Sequence, residues 1–395
     1  MDYLRGAVVN YPWGTFDAIH RLLGTEPDGE PVAELWLGAH PLTPSTIGDT
    51  TLDRHLAAHP DLLGQASVSE FGQQLPFLMK VLSARHPLSL QAHPDRVQAE
   101  EGFAAEEAAG VPRTAHHRTY KDNWPKPEIL VALDEFHTLA GFRDPHRTAL
   151  LFSALNAGPL VERLVAPLRG RGGEAALQEV FLDVLALPVD KRQVVDAVLA
   201  AAEARRDDED EVGALARTAL ELNVTFPSDP GILAALLMNR VELQPGQAIY
   251  MHPGTMHAHL HGTGIEVMAS SDNVLRGGLT NKHIAVDELV RVVDFSWGEP
   301  EILTGIETTP GVWDYPTFCH EFDVARLEVS EHAPVALPPA HNARIALVTR
   351  GEVALTNGTQ SLPIKAGQSA FLPAEDAQVT ATGDAQVFLA STGLG

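Results

Sequence analysis

The stretch VELQPGQAIYMHPGTMHAHLHGTGIEVMAS, residues 241–270, indicates the fold class of this chain. Apolar runs alternate with Pro-Gly pairs at 245–246 and 253–254, a pattern typical of short antiparallel strands joined by tight turns. The stretch also carries four histidines: His252, His257, His259 and His261. The last three share one face of a strand, because side chains alternate with a period of two. Histidines with a carboxylate are common ligands of zinc, iron and nickel, so we expect a metal or catalytic site here.

Strand-like and helical zones flank this stretch. LPFLMKVLSA (75–84) and EILVALDEFHTLAGF (128–142) are typical of buried strands. Residues 144–227 repeat apolar positions every three or four residues, which predicts about four helices. Residues 301–395 are strand-like again. We therefore expect a mainly β fold with two β-barrels: residues 1–143 and 228–300 form the first, residues 144–227 a helical insertion, and residues 301–395 the second.

Composition narrows the class of function. The formal net charge is 28 − 52 = −24, which argues against nucleic acid or an anionic membrane as the main partner. The single cysteine, Cys319, excludes an intramolecular disulfide framework and a multi-cysteine zinc site. The first residues lack the pattern of a signal peptide, and no apolar run approaches the ~18 residues of a membrane span. We expect a cytoplasmic protein.

Two shorter windows carry further candidate ligands. In SLQAHPD (89–95), Gln91 and His93 share one strand face, where an amide oxygen and an imidazole can both bind a cation. In YKDNWPKPEIL (120–130), Glu128 follows a double-proline turn that holds its carboxylate rigidly at the start of a strand. Taken alone, each window also fits a polar strand end without a metal.

Lysine is rare in this chain, with six residues against 22 arginines. Three of the six lie in or beside the candidate windows: Lys80, Lys126 and Lys282. The window EVMASSDNVLRGGLTNKH (266–283) adds Glu266, Asp272 and Arg276. A guanidinium fork beside a compact ammonium group is suited to a phosphate, so Arg276 and Lys282 predict an anion site.

Five stretches together resemble the type I mannose-6-phosphate isomerases, zinc enzymes of the cupin superfamily. They are NYPWG (10–14), AELWLGAHP (33–41), LPFLMKVLSA with SLQAHPD (75–95), KPE (126–128) and HAHLHGTGIEVMASSDNVLRGGLTNK (257–282). The resemblance implies two cupin (jelly-roll) barrels plus an α-helical domain. It also implies one Zn²⁺ per chain, and the C-terminal barrel matches only in pattern.

The resemblance assigns residues to the site. It implies the zinc ligands Gln91, His93, Glu128 and His257, so that His252 and His261 are not needed as ligands. It implies the pocket residues Ser89, Lys80, Lys126, Glu266, Asp272, Arg276 and Lys282. Arg276 is expected to stabilise enediolate or phosphate charge and Lys282 to bind phosphate. The base stays open among Glu266, Lys126, Asp272 and a zinc-bound water.

The chain departs from the family pattern at a few positions. Trp124 and Pro125 stand where the family commonly has an Asn-His pair before KPE, and His259 replaces a tyrosine of the pocket wall. The family's TPK reads TNK at 280–282. These departures affect the polar lining of the pocket and leave the four metal positions intact.

The expected reaction is the interconversion of mannose 6-phosphate and fructose 6-phosphate by proton transfer through an enediolate. Such an enzyme would feed GDP-mannose biosynthesis or mannose breakdown, and we expect a monomer or a small homo-oligomer. Two alternatives remain at this point. An iron-dependent cupin oxygenase would need no phosphate receptor, and a non-catalytic sugar-binding cupin would show no turnover. A barrel at 301–395 without a His-x-His pair is expected to hold no metal.

Overall fold

A computed structural model describes residues 1–187 and 193–394. Its strands are β1 (Asp2–Arg5), β2 (Ala7–Val9), β3 (Glu34–Leu37), β4 (Thr46–Ile47), β5 (Thr50–Thr51), β6 (Phe77–Ala84), β7 (Leu90–Ala92), β8 (Glu128–Ala132), β9 (Phe136–Phe142), β10 (Met238–Leu243), β11 (Gln247–Met251), β12 (His257–Ala269), β13 (Leu275–Gly278), β14 (Leu303–Thr304), β15 (Ile306–Thr309), β16 (Val312–Tyr315), β17 (Asp323–Val329), β18 (Val335–Ala336), β19 (Arg344–Thr356), β20 (Ser361–Lys365), β21 (Ser369–Leu372) and β22 (Thr380–Ser391).

The helices of the described residues fall into two groups. Outside the insertion lie α1 (Ala18–Leu23), α2 (Leu52–Ala58), a short 3-10 helix (Pro60–Leu63), α3 (Gln65–Phe71), α4 (Arg96–Ala108), α10 (Gly231–Ala235) and α11 (Val286–Val292). Between β9 and β10 lie α5 (Pro145–Leu155), α6 (Pro159–Gly170), α7 (Gly173–Leu185), α8 (Gln193–Arg205) and α9 (Glu211–Thr225). None of the helices within 1–187 and 193–394 is long and apolar enough to cross a membrane.

Between β9 and β10 the described residues form five helices, where the sequence predicted about four. Prolines at the first helical positions start α5 and α6, where the missing N–H of proline costs no hydrogen bond. The leucines from Leu150 to Leu160 thus belong to two helices. Their apolar faces pack with those of α7, α8 and α9 in one core, which also takes Leu139 from β9 and Leu260 from β12.

The strands of the described residues form two sheets of eleven strands each, and their ladders are antiparallel. The first, here called the site sheet, consists of β2, β3 and β6–β14. The second, here called the C-terminal sheet, consists of β15–β22 together with β1, β4 and β5. This differs from the expected division at residue 300, because β1 pairs with β21 through Asp2 and Phe371. A shared core with residues from both sheets, among them Val81 and Ile345, joins them.

Strand β12 is the centre of the site sheet. Its thirteen residues pair with β6 and β8 near their end and with β7 and β9 near their start. The register of β12 against β9 shifts between His259 and His261. Gly262 follows this bulge with φ 124°, and a Cβ there would lie 2.7 Å from the backbone of Phe136, so only glycine fits. The bulge turns the far half of β12 toward its other partners.

Candidate metal centre

Three strands of the site sheet bring His93, Glu128 and His257 to one point. His93 follows β7, Glu128 opens β8 and His257 opens β12. Their ligand atoms all lie within 4.8 Å of one another. Oε2 of Glu128 is 3.4 Å from Nε2 of His93 and 3.3 Å from Nε2 of His257. Gln91 pairs with His257 across β7 and β12, and its side-chain amide lies 3.3 Å from the same Nε2. The four sequence-predicted ligands therefore converge.

The protonation of the two imidazoles suits a cation. Nδ1 of His93 donates to the backbone carbonyl of Asn273 at 2.7 Å, and Nδ1 of His257 donates to that of Thr255 at 2.9 Å. Because a carbonyl can only accept, each Nδ1 carries a proton, and in the neutral imidazole the Nε2 then has a lone pair facing Glu128. Among the described residues, the buried Nε2 of His93 has no hydrogen-bond partner. Two nitrogen lone pairs around a carboxylate fit a divalent cation such as zinc.

Burial and a lysine set the charges at this point. Burial, with Lys126 nearby, lowers the pKa of His93 to about 4, so this imidazole is neutral at pH 7. Burial alone would raise the pKa of Glu128, but Lys126 and His93 hold it well below its usual range. Nζ of Lys126 lies 2.8 Å from Oε1 of Glu128. The amide nitrogen of Gln91 faces Nε2 of His257, and a half-turn of the amide would present its oxygen to a cation instead. The donor set would then be two imidazole nitrogens, an amide oxygen and one carboxylate.

A buried lysine beside the metal centre forms ion pairs with two glutamates, and the three residues lie on three adjacent strands. Nζ of Lys80 on β6 lies 3.0 Å from Glu266 on β12 and 3.3 Å from Glu34 on β3. Nε2 of His259 lies 3.4 Å from Glu266, and Nδ1 lies 3.2 Å from Oγ1 of Thr138. Burial opposes ionisation, but Lys80 lowers the pKa of Glu266 to about 2. The carboxylate is therefore ionised and held in place from two sides.

Sequence reasoning missed two acidic or basic residues at this site, Glu34 and His40. Both lie in the quoted stretch AELWLGAHP, and both are buried. Charged or titratable side chains are rarely buried without a partner, so their place in this largely apolar stretch was a usable signal. Nε2 of His40 lies 3.3 Å from Oδ1 of Asp272, while Nδ1 accepts the N–H of Leu42. Burial by itself would raise the pKa of Asp272, but the hydrogen bond from His40 and the nearby charges of Lys126 and Lys80 lower it.

A cavity of about 1070 Å³ opens above the metal centre. Its wall includes most of the sequence-predicted residues: Lys80, Ser89, Gln91, Lys126, Glu128, His259, Glu266, Asp272, Arg276 and Lys282. His93 and His257 are buried beneath this wall. Burial lowers the pKa of Arg276 and of Lys282, and in the described ranges neither side chain has an acidic partner within 4.0 Å. One end of the cavity thus has uncompensated positive charge.

The remaining candidates lie elsewhere. His252 packs against the rings of Tyr250 and Phe318. The ring of His261 packs against that of His137 at a centroid distance of 4.1 Å, near Glu221 of α9. Neither histidine belongs to the group formed by His93, Glu128 and His257.

Trp124 is one of the residues that depart from the family pattern, and its ring points away from the cavity. The ring centroid lies 5.8 Å from that of Phe71 and 5.8 Å from the guanidinium of Arg96. Pro125 is buried beside it and does not line the cavity. His259, in contrast, is part of the cavity wall. The substitution at 259 therefore changes the lining, whereas those at 124 and 125 do not.

Comparison with known proteins places these features in one context. Residues 1–145 match the model for the catalytic domain of phosphomannose isomerase type I, and residues 312–391 match that for the cupin domain of mannose-6-phosphate isomerase. The mannose-6-phosphate isomerase of Escherichia coli (strain K12) is 35% identical over 393 residues, covering 97% of each chain. Mannose-6-phosphate isomerase 1 of Arabidopsis thaliana is 30% identical and covers 94% of this chain and 89% of its own.

Solved structures give the same result. The apo form of mannose 6-phosphate isomerase from Salmonella typhimurium has a TM-score of 0.88 at 33% identity, covering 100% of this chain and 99% of its own. A zinc-bound mannose 6-phosphate isomerase has the same score, identity and coverage. The similarity therefore extends over the whole chain, including the helical insertion.

Proposed function

The chain belongs to the type I phosphomannose isomerase family, and we propose how its residues share the work of a zinc-dependent isomerase that interconverts mannose 6-phosphate and fructose 6-phosphate. Membership in this family excludes the two alternative functions, an iron-dependent cupin oxygenase and a non-catalytic sugar-binding cupin. One observation supports the division of roles most directly. The imidazoles of His93 and His257 lie at the base of a cavity whose other end carries Arg276 and Lys282, which have no acidic partner within 4.0 Å among the described residues.

Four side chains would hold the zinc ion: Gln91, His93, Glu128 and His257. Their fit is supported by the unpartnered Nε2 of His93 and by the approach of both imidazoles to one carboxylate oxygen. When bound, zinc would order the sugar in the cavity and polarise its oxygens. Lys126 keeps Glu128 ionised through its 2.8 Å contact, and its ammonium group lies in the cavity wall, where it can donate to a substrate oxygen.

We assign the proton transfer between carbons 1 and 2 to Asp272. Of the candidate bases, Glu266 is paired with Lys80 and Lys126 with Glu128. The Asp272 side chain is 39% exposed in the cavity wall, and among the described residues only His40 is an ion-pair partner within 4.0 Å. A carboxylate that is ionised, accessible and held in one direction can take a proton from a sugar carbon and return it to the neighbouring carbon.

The other wall residues bind and stabilise charge. Arg276 stabilises the enediolate or the phosphate, and Lys282 and Ser89 bind the phosphate and sugar oxygens. Lys80 holds Glu266 as a fixed ionised group, and His259 completes the wall beside it. Glu266 is thereby a charged boundary of the pocket and the second candidate for the base.

We further propose that the site sheet forms the catalytic cupin barrel and the C-terminal sheet a second cupin barrel without metal, with residues 144–227 as the inserted helical domain. The match of residues 312–391 to a cupin domain supports this division. A cytoplasmic location, a monomer or small homo-oligomer, and the absence of nucleic-acid and membrane partners remain predictions.

Turnover before and after chelation tests the proposed function. Purified protein should convert mannose 6-phosphate to fructose 6-phosphate, lose that activity with a chelator and regain it with stoichiometric zinc. Asp272→Asn should keep the zinc and lower kcat about 10²–10⁴-fold, the contribution usual for a general base. Full activity of the chelated protein would overturn the role of the metal. Full activity of Asp272→Asn would transfer the proton step to another group.

A further inference from the structure

Asp122 lies behind the cavity wall, and its carboxylate accepts four hydrogen bonds. Oδ1 accepts from the N–H of Trp124 at 3.0 Å, the hydroxyl of Ser271 at 2.8 Å and the amide of Asn273 at 3.2 Å. Oδ2 accepts from the N–H of Asp272 at 2.8 Å. Three of these four donors belong to the segment 271–273, which follows strand β12. Both oxygens must accept, and an ionised carboxylate meets that requirement.

Asn273 returns the contact from the other segment. Its side chain is fully buried, and its amide oxygen accepts the N–H groups of Lys121 at 2.7 Å and Asp122 at 3.3 Å. Its amide nitrogen donates to the carbonyls of Asp122 at 2.8 Å and Trp124 at 2.9 Å. Asp122 and Asn273, here called the clamp, thus join segment 121–124 to segment 271–273 by reciprocal hydrogen bonds. The clamp uses only the backbone of Trp124.

The clamp lies next to four functional residues: Asp272, His93, Lys126 and Glu128. Asp272 lies between its two anchors on the second segment, with the carboxylate facing His40 at 3.3 Å. The carbonyl of Asn273 accepts Nδ1–H of His93 at 2.7 Å. The first segment continues through Pro125 and Pro127 into Lys126 and Glu128, where the prolines leave the backbone little freedom. One small polar unit therefore lies behind the metal centre and behind the proposed base.

We propose that Asp122 is a positioning residue for the isomerisation, which it serves by fixing the direction of the Asp272 carboxylate into the cavity. It does so through the backbone N–H of Asp272, while Asn273 fixes the ring of His93. This inference rests on the role of Asp272 under the proposed function. It adds a residue that touches neither substrate nor metal.

The variant Asp122→Asn isolates one contact. The amide oxygen of the new Asn side chain can take the place of Oδ1 and accept from the same three donors. Its NH₂ group then takes the place of Oδ2 and faces the N–H of Asp272, so that hydrogen bond is lost. We expect kcat to fall about ten- to one-hundredfold, because a misplacement of 1 Å can cost that much. KM for mannose 6-phosphate should change less than about threefold. Zinc content, measured by metal analysis, should stay at one per chain.

Asp134→Asn is the matched control. Oδ1 of Asp134 also accepts a backbone N–H, that of Thr263 at 2.6 Å, but Asp134 lies outside the cavity wall. Its kcat should stay within about twofold of the parent. Asp122→Glu keeps the charge and both acceptor oxygens but moves them by one methylene, so it serves if Asp122→Asn fails to fold. It should lower kcat in the same way.

A double-mutant cycle with Asp272→Asn separates this inference from the proposed function. If Asp122 acts through Asp272, Asp122→Asn should change kcat less than about twofold in the Asp272→Asn background. A crystal structure of Asp122→Asn should show the Asp272 carboxylate displaced from His40. An impaired Asp272→Asn with a fully active Asp122→Asn, or with effects that multiply, overturns the positioning role alone. A fully active Asp272→Asn overturns the assigned base and the positioning role together.

Discussion

His257 and His261 lie on one strand but in different surroundings. The bulge in β12 falls between His259 and His261, so that His257 faces Glu128 while His261 packs against His137 near α9. The alternation of side chains along a regular strand would have placed both on one face. A bulge depends on the packing of neighbouring strands, here on the approach of Phe136 to Gly262, and it cannot be inferred from histidine spacing alone.

We therefore expect His257→Ala to lose zinc and activity together, whereas His261→Ala and His252→Ala keep both. Removal of one of four ligands leaves the buried Glu128 and His93 without their partner, so zinc affinity should fall by at least ~100-fold. Metal analysis and steady-state kinetics of the three variants measure this. Loss of zinc from His261→Ala or His252→Ala to the extent seen in His257→Ala would contradict the ligand set.

Arg276 and Lys282 form the positive end of the cavity. A charge-assisted contact contributes about 1.5–3 kcal/mol, so Arg276→Ala and Lys282→Ala should each lower kcat/KM for mannose 6-phosphate about ten- to one-hundredfold. The effect on unphosphorylated mannose should be smaller. Arg276→Lys should recover only part of the loss, because an ammonium group lacks the bidentate fork.

Kinetics on the two sugars with Arg350→Ala as control measure this, since Arg350 is an exposed residue of the C-terminal sheet. Equal losses on both sugars would show that the pair does not serve the phosphate. One or both residues would then belong to the chemical step.

The elements of the site sheet are connected by charge as well as by backbone. Glu34, Lys80 and Glu266 lie on β3, β6 and β12, and Lys80 opposes Glu266 and Trp36 in the strand register. Long apolar runs made β6 and β8 predictable from the sequence. Apolar residues that recur every three or four positions did the same for α7, α8 and α9. The charged residues inside the apolar strands were only partly predicted, because Glu34 has a meaning only once its neighbour Lys80 is known.

The ion pair of Lys80 and Glu266 makes the stability of the fold depend on pH. The pKa of Glu266 is about 2 in the folded chain, below its ordinary value of 4.5, so the ionised form stabilises the fold above pH 4.5. That contribution is lost as the pH falls toward 2. For this shift, the free energy of unfolding should lose about 2 kcal/mol between pH 6 and pH 3 from this group alone.

Urea unfolding at both pH values, in the parent and in Glu266→Gln, measures this contribution. The advantage of the parent over Glu266→Gln should shrink by that amount, whereas its difference from Glu352→Gln, an exposed position on β19, should stay constant. A parent advantage that is constant with pH would show that Lys80 does not hold Glu266 ionised.

At the scale of the whole molecule, local patterns predicted the kinds of element, whereas the full set of metal ligands was predicted only through the family resemblance. The motifs at 89–95, 126–128 and 257–282 are far apart in the chain, and their resemblance to one family allowed them to be combined. Contacts that depend on the path of the chain were not predictable. His40 reaches Asp272 and Asp122 reaches Asn273 across distant loops, and neither spacing has a sequence signature.

The pairing of β1 with β21 has a consequence for biosynthesis. The hydroxyl of Tyr3 donates to the carbonyl of Pro363, which is 360 residues later in the chain. At ribosomal speeds of ~5–20 residues per second, the first strand waits roughly 20–70 s for its partner to be made. During that time it is an open edge that another nascent chain could join. Strand β1 is only four residues long, and it carries charge at both ends, on Asp2 and Arg5. A short strand with terminal charges resists such pairing, so β1 is protected from association with other chains until β21 has been synthesised.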